Sequence, residues 1–178
     1  MRCVALIGFM GAGKTTVGRA LAKRLRCRFQ DLDDAIEQRE RQSVAHIFAS
    51  VGEAGFRRAE NAALRNLLQE NAGQSDLVLA LGGGAFIQPQ NRRLLKEAGA
   101  VTVLLEAPLE ELRRRCQKES KVRPLAQQEA GFAELFAARR AEYERARFRV
   151  QTLGKPVEQV ASEVAQLLTE VLKAEVEK

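Results

Sequence analysis

The sequence from Gly8 to Thr15 reads G-F-M-G-A-G-K-T, which fits the pattern G-x-x-x-x-G-K-[ST] of a phosphate-binding loop. The apolar run Cys3–Ile7 precedes this loop, and its β-forming residues predict a buried strand. After the loop, apolar residues recur at helical spacing, which predicts a helix over Lys14–Leu25. A chance glycine turn requires neither neighbour, so the context favours a nucleotide-binding βαβ unit.

The loop carries the groups that hold a chain of phosphates. Its glycines permit positive φ angles, which let backbone N–H groups face phosphate oxygens. Lys14 is placed to reach the β- and γ-phosphates, and the Thr15 hydroxyl is placed to bind Mg²⁺. The motif therefore predicts ATP or GTP as a ligand and leaves the phosphate acceptor open.

Short apolar strands alternate with helices along the rest of the chain. The predicted strands are 28–31, 77–81, 100–105 and 148–152, and the predicted helices are 33–41, 43–50, 53–71, 89–98, 109–117, 131–147 and 157–173. This alternation predicts an α/β fold in which helices cover both faces of a parallel sheet. Since no linker or internal repeat interrupts the pattern, we expect one domain over residues 1–178.

Length and composition exclude several classes of protein. Of the 178 residues, 46% are hydrophobic and 29% are charged, values far from those of disordered or collagen-like chains. The apolar stretch at residues 3–13 is shorter than the roughly 18 residues of a membrane span. A formal net charge of +6 leaves nucleic acid, an anionic membrane surface or an anionic small molecule as partners.

The cysteines, the histidine and the aromatic residues argue against several further kinds of site. Cys3, Cys27 and Cys116 show no C-x-x-C spacing, so we expect reduced thiols in a cytoplasmic protein rather than disulfides or zinc. The only histidine, His46, fits a surface or packing position better than a catalytic one. Aromatic residues are 5% of the chain and include no Trp, which argues against a base-stacking surface for single strands.

Carboxylates follow the second predicted strand, at the sheet edge where the phosphate-binding loop is expected. If the backbone is extended there, the Asp31 and Asp33 side chains point the same way. One of them can hold Mg²⁺ through water while the other accepts a hydrogen bond from an acceptor hydroxyl. The alternative is that Asp33 or Asp34 caps the next helix or is one of the acids of its first turn. The neighbouring phosphate-binding loop favours the functional interpretation.

One arginine lies on an apolar helix face together with a glutamate. Arg57 and Glu60 fall within the apolar stripe of the predicted helix 53–71, whereas Arg58 points away from it. Charged groups are rarely buried unpaired, and the i,i+3 spacing allows Arg57 and Glu60 to pair. An arginine held in this way presents its planar fork to a carboxylate.

A second arginine lies on an apolar stripe of the predicted helix 131–147. Arg139 is near the centre of that stripe and Arg140 is at its edge. Together with Arg57, Arg139 predicts either a clamp for an anionic acceptor or two structural ion pairs. Periodicity alone does not decide between them.

Three successive glycines, Gly82, Gly83 and Gly84, follow the third predicted strand. Each of them costs backbone entropy on folding, so the run needs a reason. Close approach of the backbone to a ligand is one explanation, and a sharp turn from strand to helix is the other.

A basic stretch begins in the predicted helix 109–117 and continues into the loop after it. Six cations fall within eleven residues there, namely Arg113, Arg114, Arg115, Lys118, Lys121 and Arg123. A solvated surface and a nucleic-acid patch are two interpretations. The third is a lid over residues 118–129 that brings Arg123 to the transferred phosphate.

Taken together, these motifs resemble those of the shikimate kinase family. The resemblance covers nearly the whole chain and rests on the ordered set G-F-M-G-A-G-K-T, D-L-D, G-F-R-R-A-E, L-G-G-G-A and V-R-P-L. It implies a P-loop NTPase fold like that of nucleoside monophosphate kinases, with three αβα layers and a five-stranded parallel sheet. It also implies transfer of the ATP γ-phosphoryl group to the 3-hydroxyl of shikimate, on the route to chorismate and the aromatic amino acids.

The same resemblance implies a role for each matching residue. ATP binding is implied for Gly11, Ala12, Gly13, Lys14, Thr15, Thr16, Arg115, Arg123 and Pro156. Shikimate binding is implied for Asp33, Arg57, Gly82, Gly83, Gly84 and Arg139. The implied catalytic residues are Lys14, Asp33 and Arg123, and the implied Mg²⁺ ligands are Thr15 and Asp31.

The resemblance also implies which partners the protein has, and two other functions are alternatives to it. The implied ligands are ATP and shikimate, and we expect a cytoplasmic monomer without a nucleic-acid or membrane partner. The chain departs from the family near Arg139, where the pattern R-x-P-L-Y reads R-R-A-E-Y. A gluconate or nucleoside monophosphate kinase is the nearest alternative, and the triple glycine with Arg57 and Glu60 argues against it. A non-catalytic P-loop protein that senses nucleotides or binds nucleic acid is the other alternative, and the implied catalytic set argues against that.

Overall fold

Strands and helices alternate through residues 3–71, 76–118 and 129–176, which are the residues that the computed structural model describes. The strands are β1 (Cys3–Ile7), β2 (Arg28–Asp31), β3 (Leu77–Ala80), β4 (Val101–Glu106) and β5 (Phe148–Gln151). The helices are α1 (Lys14–Leu25), α2 (Leu32–Glu40), α3 (Val44–Glu70), α4 (Pro89–Glu97), α5 (Leu109–Lys118), α6 (Glu129–Tyr143) and α7 (Val157–Val176). The predicted alternation is confirmed.

The five strands form one parallel sheet in the order β2-β3-β1-β4-β5. Every residue of β1 and β3 is buried, whereas the edge strands β2 and β5 are largely exposed or half-buried. Parallel strands are buried on both faces only when helices cover both sides of the sheet. The predicted three-layer αβα fold with a five-stranded parallel sheet is confirmed.

The strand order brings three polar segments to one edge of the sheet. In the register of the sheet, Leu6 on β1 lies level with Ala80 on β3, and Ala80 lies level with Asp31 on β2. Because the strands are parallel, their carboxyl ends meet at this edge. The phosphate-binding loop follows β1, Asp31 ends β2, and the triple glycine comes shortly after β3. Ligands of open α/β sheets bind beyond this edge.

Helix α3 contains a break at Gly52, where φ is 67° and ψ is −176°. The sequence predicted two separate helices here, and the structure joins them across this single residue. Among the described residues, no atom lies within 4 Å of the position that a Cβ would take, so the glycine is needed for its positive φ. Phe48 stacks on Phe56 across the break, with ring centres 4.3 Å apart.

Helix α6 ends at Tyr143 rather than at the predicted residue 147. Arg139 and Tyr143 are therefore one turn apart at the carboxyl end of the helix, on the same face. Within the described ranges, none of the helices is both long and apolar enough to cross a membrane.

Candidate active site

The phosphate-binding loop ends at the amino terminus of α1. Gly13 precedes the helix with a φ of 86°, and among the described residues no side chain caps the helix and no acid lies in its first turn. The N–H groups and the positive end of the helix dipole are thus available to an anion. Lys14 Nζ donates hydrogen bonds to the carbonyls of Gly8 and Phe9 at 2.9 and 3.0 Å. The lysine therefore lies along the loop that it is predicted to serve.

Two glycines let this loop lie directly on the protein core. A Cβ at Gly8 would lie 2.6 Å from the carbonyl oxygen of Leu105, and one at Gly11 would lie 2.5 Å from that of Leu112. Both glycines also have positive φ angles, of 150° and 78°. A side chain at either position would meet backbone of β4 or α5, which cannot turn aside as a flexible side chain can.

Asp31 joins the phosphate-binding loop to the end of β2. Its Oδ2 accepts a hydrogen bond from Thr15 Oγ1 at 2.7 Å, and its Oδ1 accepts one from the backbone N–H of Asp33 at 3.1 Å. Asp31 is therefore the N-cap of α2, which begins at Leu32. The predicted extended backbone through Asp33 is wrong, because the helix starts one residue earlier than predicted. Neither Asp33 nor Asp34 is the cap, but both are acids of the first turn, which the alternative interpretation had allowed.

Each glycine of the run after β3 faces one of the predicted acceptor-binding side chains. The pairs are Gly82 with Asp33, Gly83 with Arg139, and Gly84 with Arg57. Cβ atoms at these glycines would lie 2.6, 3.4 and 2.4 Å from the nearest side-chain atom of the partner. The run forms part of a turn, as one of the two interpretations predicted, since the backbone N–H of Ala85 donates to the carbonyl of Gly82 at 3.0 Å. None of the three has a positive φ, so the close approach of side chains at Gly82 and Gly84 is the reason that the turn requires glycine there. The sequence analysis gave only a ligand or a sharp turn as explanations for the three glycines.

Arg57 is held by carboxylates of its own helix. Its Nη1 donates to both oxygens of Glu60 at 3.0 and 3.1 Å, and its Nη2 donates to Glu53 Oε1 at 3.2 Å. Glu60 is only 1% exposed and Glu53 is 70% exposed, so Glu60 is the buried anchor. The predicted pairing of Arg57 with Glu60 is confirmed, and Arg58 is exposed as predicted. The guanidinium also lies 5.3 Å from the ring centre of Phe56.

Charged residues from three helices affect the pKa of Glu60. Burial raises its pKa to about 6, and the positive charge and hydrogen bonds of Arg57 oppose this rise. The charge of Asp33 raises the pKa further, and that of Arg139 lowers it. Residues from α2, α3 and α6 therefore lie close enough to act on one buried carboxyl group.

Arg139 reaches the triple glycine from the last turns of α6. Its guanidinium lies 6.0 Å from the ring centre of Phe9 in the phosphate-binding loop and hydrogen-bonds to Tyr143. Tyr143 donates its own hydroxyl proton to the carbonyl of Gly83. Arg140 is 69% exposed, so Arg139 is the arginine that faces the glycines, as the helix stripe predicted.

Arg115 connects α5 to the segment that follows β5. Its Nε donates to Glu111 at 2.7 Å, its Nη1 to Thr152 Oγ1 at 3.0 Å, and its Nη2 to the Thr152 carbonyl at 3.2 Å. Nη1 also lies 3.5 Å from the carbonyl oxygen of Gly11. The exposed Pro156 follows Thr152 closely and immediately precedes α7. Sequence analysis missed Thr152 and Glu111, because neither forms part of a motif.

Polar side chains also hold the segment that follows the triple glycine. The fully buried Asn91 donates to the carbonyl of Ala85 at 3.0 Å and accepts from Asn61 Nδ2 at 2.8 Å. Arg92 donates to two further carbonyls of that segment at 3.0 and 2.6 Å. These residues were also missed, and the only signal for them was a polar pair early in a helix after the glycines.

Not every residue that was predicted to bind a ligand lies among these contacts. Thr16 lies exposed in the first turn of α1. Arg123 and most of the predicted lid lie outside the described residues, which resume at Glu129. A cavity of about 330 Å³ lies between the end of β4, α5 and α6, and its lining includes Phe9 and Tyr143 but none of the residues predicted to bind ATP or shikimate.

The chain is similar to known proteins over most of its length. The family model described as shikimate kinase matches residues 10–169. A shikimate kinase of Geobacter sulfurreducens is 45% identical over 172 residues, which are 95% of this chain and 92% of that protein. A shikimate kinase of Thermus thermophilus is 40% identical over 168 residues, which are 93% of this chain and 89% of that protein.

A solved structure has the same fold and a related sequence. Shikimate kinase from Acinetobacter baumannii in complex with shikimate superposes with a TM-score of 0.86 at 36% sequence identity. The match covers 96% of this chain and 94% of that chain.

Proposed function

The chain belongs to the shikimate kinase family, and we propose that it transfers the γ-phosphoryl group of ATP to the 3-hydroxyl of shikimate. The products are shikimate 3-phosphate and ADP, and the reaction belongs to the biosynthesis of the aromatic amino acids. One observation carries the proposal for this chain. Asp33, Arg57 and Arg139 converge on the triple glycine at the sheet edge that also bears the phosphate-binding loop.

The acceptor side of the site consists of Asp33, Arg57, Arg139 and the triple glycine. It matches a small molecule with both a carboxylate and hydroxyl groups. Arg57 and Arg139 present planar guanidinium groups, which suit bidentate binding of a carboxylate. The carboxylate of Asp33 accepts a hydrogen bond from the acceptor hydroxyl and aligns it for in-line attack on the phosphorus. The glycines leave the space in which these three side chains lie.

The nucleotide side supplies charge neutralisation and positioning, which are the main requirements of phosphoryl transfer. The N–H groups of the loop and the amino end of α1 bind the phosphate oxygens, and Lys14 offsets charge on the β- and γ-phosphates. Arg115 and Pro156 border the adenine. We assign the role of lid arginine to Arg123, which lies outside the described residues.

The residues beside the loop fit a magnesium ion. The Thr15 hydroxyl and the Asp31 carboxylate are 2.7 Å apart, and both are the hard oxygen donors that Mg²⁺ prefers. We propose that Thr15 binds the ion directly and that Asp31 holds it through water. When bound, the ion would neutralise negative charge on the phosphate chain.

We further propose that the enzyme acts as a cytoplasmic monomer without a nucleic-acid or membrane partner. The described groups at the sheet edge suit small anionic molecules. Size-exclusion chromatography with light scattering at several concentrations tests the oligomeric state. A stable dimer would contradict the proposal of a monomer.

ADP release with different acceptors tests the main proposal. Purified protein is given ATP and Mg²⁺ with shikimate, gluconate, AMP or CMP, and a Lys14→Ala variant serves as the inactive control. We expect stimulation by shikimate alone, with phosphorus coupling to the proton at carbon 3 of the product. Stimulation by gluconate or a nucleotide without stimulation by shikimate would overturn the proposal. Strongly salt-dependent binding of DNA or RNA without ADP release would favour the non-catalytic alternative.

A further inference from the structure

The hydroxyl group of Tyr143 lies between two parts of the acceptor side of the site. Tyr143 is 3% exposed, so its hydroxyl requires hydrogen-bond partners within the protein. The hydroxyl donates to the carbonyl of Gly83 and accepts from the guanidinium of Arg139. A Cβ at Gly83 would lie 3.4 Å from Arg139 Nη1 and 3.8 Å from the tyrosine hydroxyl, so the three groups meet at one point.

We propose that Tyr143 is a positioning residue that orients the guanidinium of Arg139 toward the carboxylate of shikimate. The proposal rests on the proposed function, because it gives a purpose to the orientation of Arg139. Packing alone needs only the aromatic ring, and a phenylalanine would supply the same ring. Both hydrogen-bond partners of the hydroxyl belong to the acceptor side, which is the reason for assigning it a role there.

The two arginines of the site are held in different ways. Arg57 is fixed by ion pairs with Glu60 and Glu53, which offset part of its charge. Arg139 contacts the ring of Phe9 and the hydroxyl of Tyr143, which are both neutral groups. A neutral partner fixes the direction of the guanidinium and leaves its charge to attract a substrate carboxylate. A carboxylate in the same place would compete with the substrate.

The hydroxyl remains protonated under all conditions in which the enzyme would work. Burial raises the pKa of Tyr143 to about 12, and the nearby arginines only partly oppose this rise. The group therefore always has a proton to donate to Gly83 and a lone pair to accept from Arg139.

An ion pair next to Tyr143 also holds the end of α6 in place, so the backbone that carries the tyrosine is fixed. The neighbouring residue, Glu142, forms an ion pair with Arg92 at 2.7 Å. Arg92 in turn donates to carbonyls of the segment after the triple glycine at 3.0 and 2.6 Å. Two successive residues of α6, Glu142 and Tyr143, therefore connect the helix to the segment after the triple glycine and to the triple glycine itself.

Tyr143→Phe tests the proposal, because it removes the hydroxyl and keeps the ring. We expect KM for shikimate to rise about tenfold, as for loss of a hydrogen bond to a charged group, with little change in KM for ATP or in kcat. Thr102→Val is the matched control, since it removes a hydroxyl that accepts from the backbone of Arg147 at 3.0 Å near the other end of the sheet. The control should change neither KM. A merely structural role for Tyr143 would lower the melting temperature without this selective rise.

A double-mutant cycle with Arg139→Gln separates an effect through Arg139 from any other effect. In the Arg139→Gln background, Tyr143→Phe should raise KM for shikimate no further. An equal rise in both backgrounds, or no rise in wild-type background, would overturn the proposal. If Tyr143→Phe is unstable at the assay temperature, the same kinetics are measured below its melting temperature, and an unchanged KM for shikimate there would overturn the proposal. Failure of wild-type protein to phosphorylate shikimate would refute the proposed function, so the two failures are distinguishable.

Discussion

The guanidinium of Arg57 occupies the space in which a side chain at residue 84 would lie. A Cβ at Gly84 would be 2.4 Å from Nη2, 2.5 Å from Nη1 and 2.7 Å from Cζ of Arg57. The arginine cannot simply move aside, because both oxygens of the buried Glu60 hold its Nη1. Gly84 therefore has no side chain because Arg57 requires the space.

Gly84→Ala should displace Arg57 and weaken binding of shikimate. We expect KM for shikimate to rise by about tenfold or more, with little change in KM for ATP, because a charged hydrogen-bond donor is moved away from its ligand. Gly99→Ala is the matched control, since Gly99 has a φ of 63° and, among the described residues, no atom within 4 Å of a Cβ. That control should lower stability by about 1 kcal/mol and leave both KM values unchanged. Steady-state kinetics and urea unfolding give the comparison, and an unchanged KM for shikimate in Gly84→Ala would contradict the explanation.

The fold could be predicted from sequence because its signals are local. The phosphate-binding loop between Cys3–Ile7 and Lys14–Leu25, followed by alternating strands and helices, determines an α/β fold with a covered parallel sheet. The order β2-β3-β1-β4-β5 carries no such signal, since strand pairing joins residues far apart in the chain. The five strands themselves were predicted from local apolar runs, at 3–7, 28–31, 77–81, 100–105 and 148–152.

The site could be predicted only where its residues follow a helix stripe or a motif. The stripe identified Arg57 with its partner Glu60, and it selected Arg139 over Arg140. The contact of Arg115 with Thr152 joins two segments that no spacing rule connects. The role of Asp31 as a helix cap was missed because this one aspartate both ends β2 and caps α2, and a polar residue at that junction has the same sequence signature in either role.

Arg57→Lys should weaken binding of shikimate far more than binding of ATP. Lysine keeps the charge but loses the planar fork that can hold a carboxylate with two hydrogen bonds. We expect a rise in KM for shikimate of about tenfold. Arg58→Lys on the exposed side of the same helix is the control and should leave the kinetics unchanged. Equal changes in the KM values for shikimate and ATP would indicate a structural role for Arg57.

Asp33→Asn should slow catalysis with little effect on ATP affinity. The amide keeps the shape of the side chain but loses the charge that aligns the acceptor hydroxyl or accepts its proton. We expect kcat to fall by about 10²- to 10⁴-fold. Asp34→Asn, one residue further along the first turn of α2, should behave like wild type. A near-normal kcat in Asp33→Asn would remove this residue from the mechanism.

Substitutions at Thr15 and Asp31 should change the requirement for magnesium. Thr15→Val removes the hydroxyl that lies 2.7 Å from Asp31, whereas Thr15→Ser keeps it. We expect Thr15→Val and Asp31→Asn to raise the Mg²⁺ concentration needed for half-maximal rate, and Thr15→Ser to retain the wild-type requirement. Mg²⁺ titration of the initial rate at saturating shikimate measures this. A wild-type titration curve for Thr15→Val would exclude Thr15 as a ligand.

Glu60 should make stability depend on pH in a defined window. Its folded-state pKa is about 6 against an ordinary value of 4.5, because burial outweighs the opposing effects of Arg57 and Arg139, and Asp33 adds to the rise. Between these values the folded protein binds more protons than the unfolded chain. The contribution of Glu60 to the free energy of unfolding therefore falls as pH rises through this window, by about 2 kcal/mol in total, and is level above it.

Urea unfolding of wild type and Glu60→Gln across the window should show a difference that declines with pH, whereas the exposed Glu53→Gln should not alter the profile. If the difference between wild type and Glu60→Gln stays constant, the carboxyl group is not held in the environment that the structure gives it.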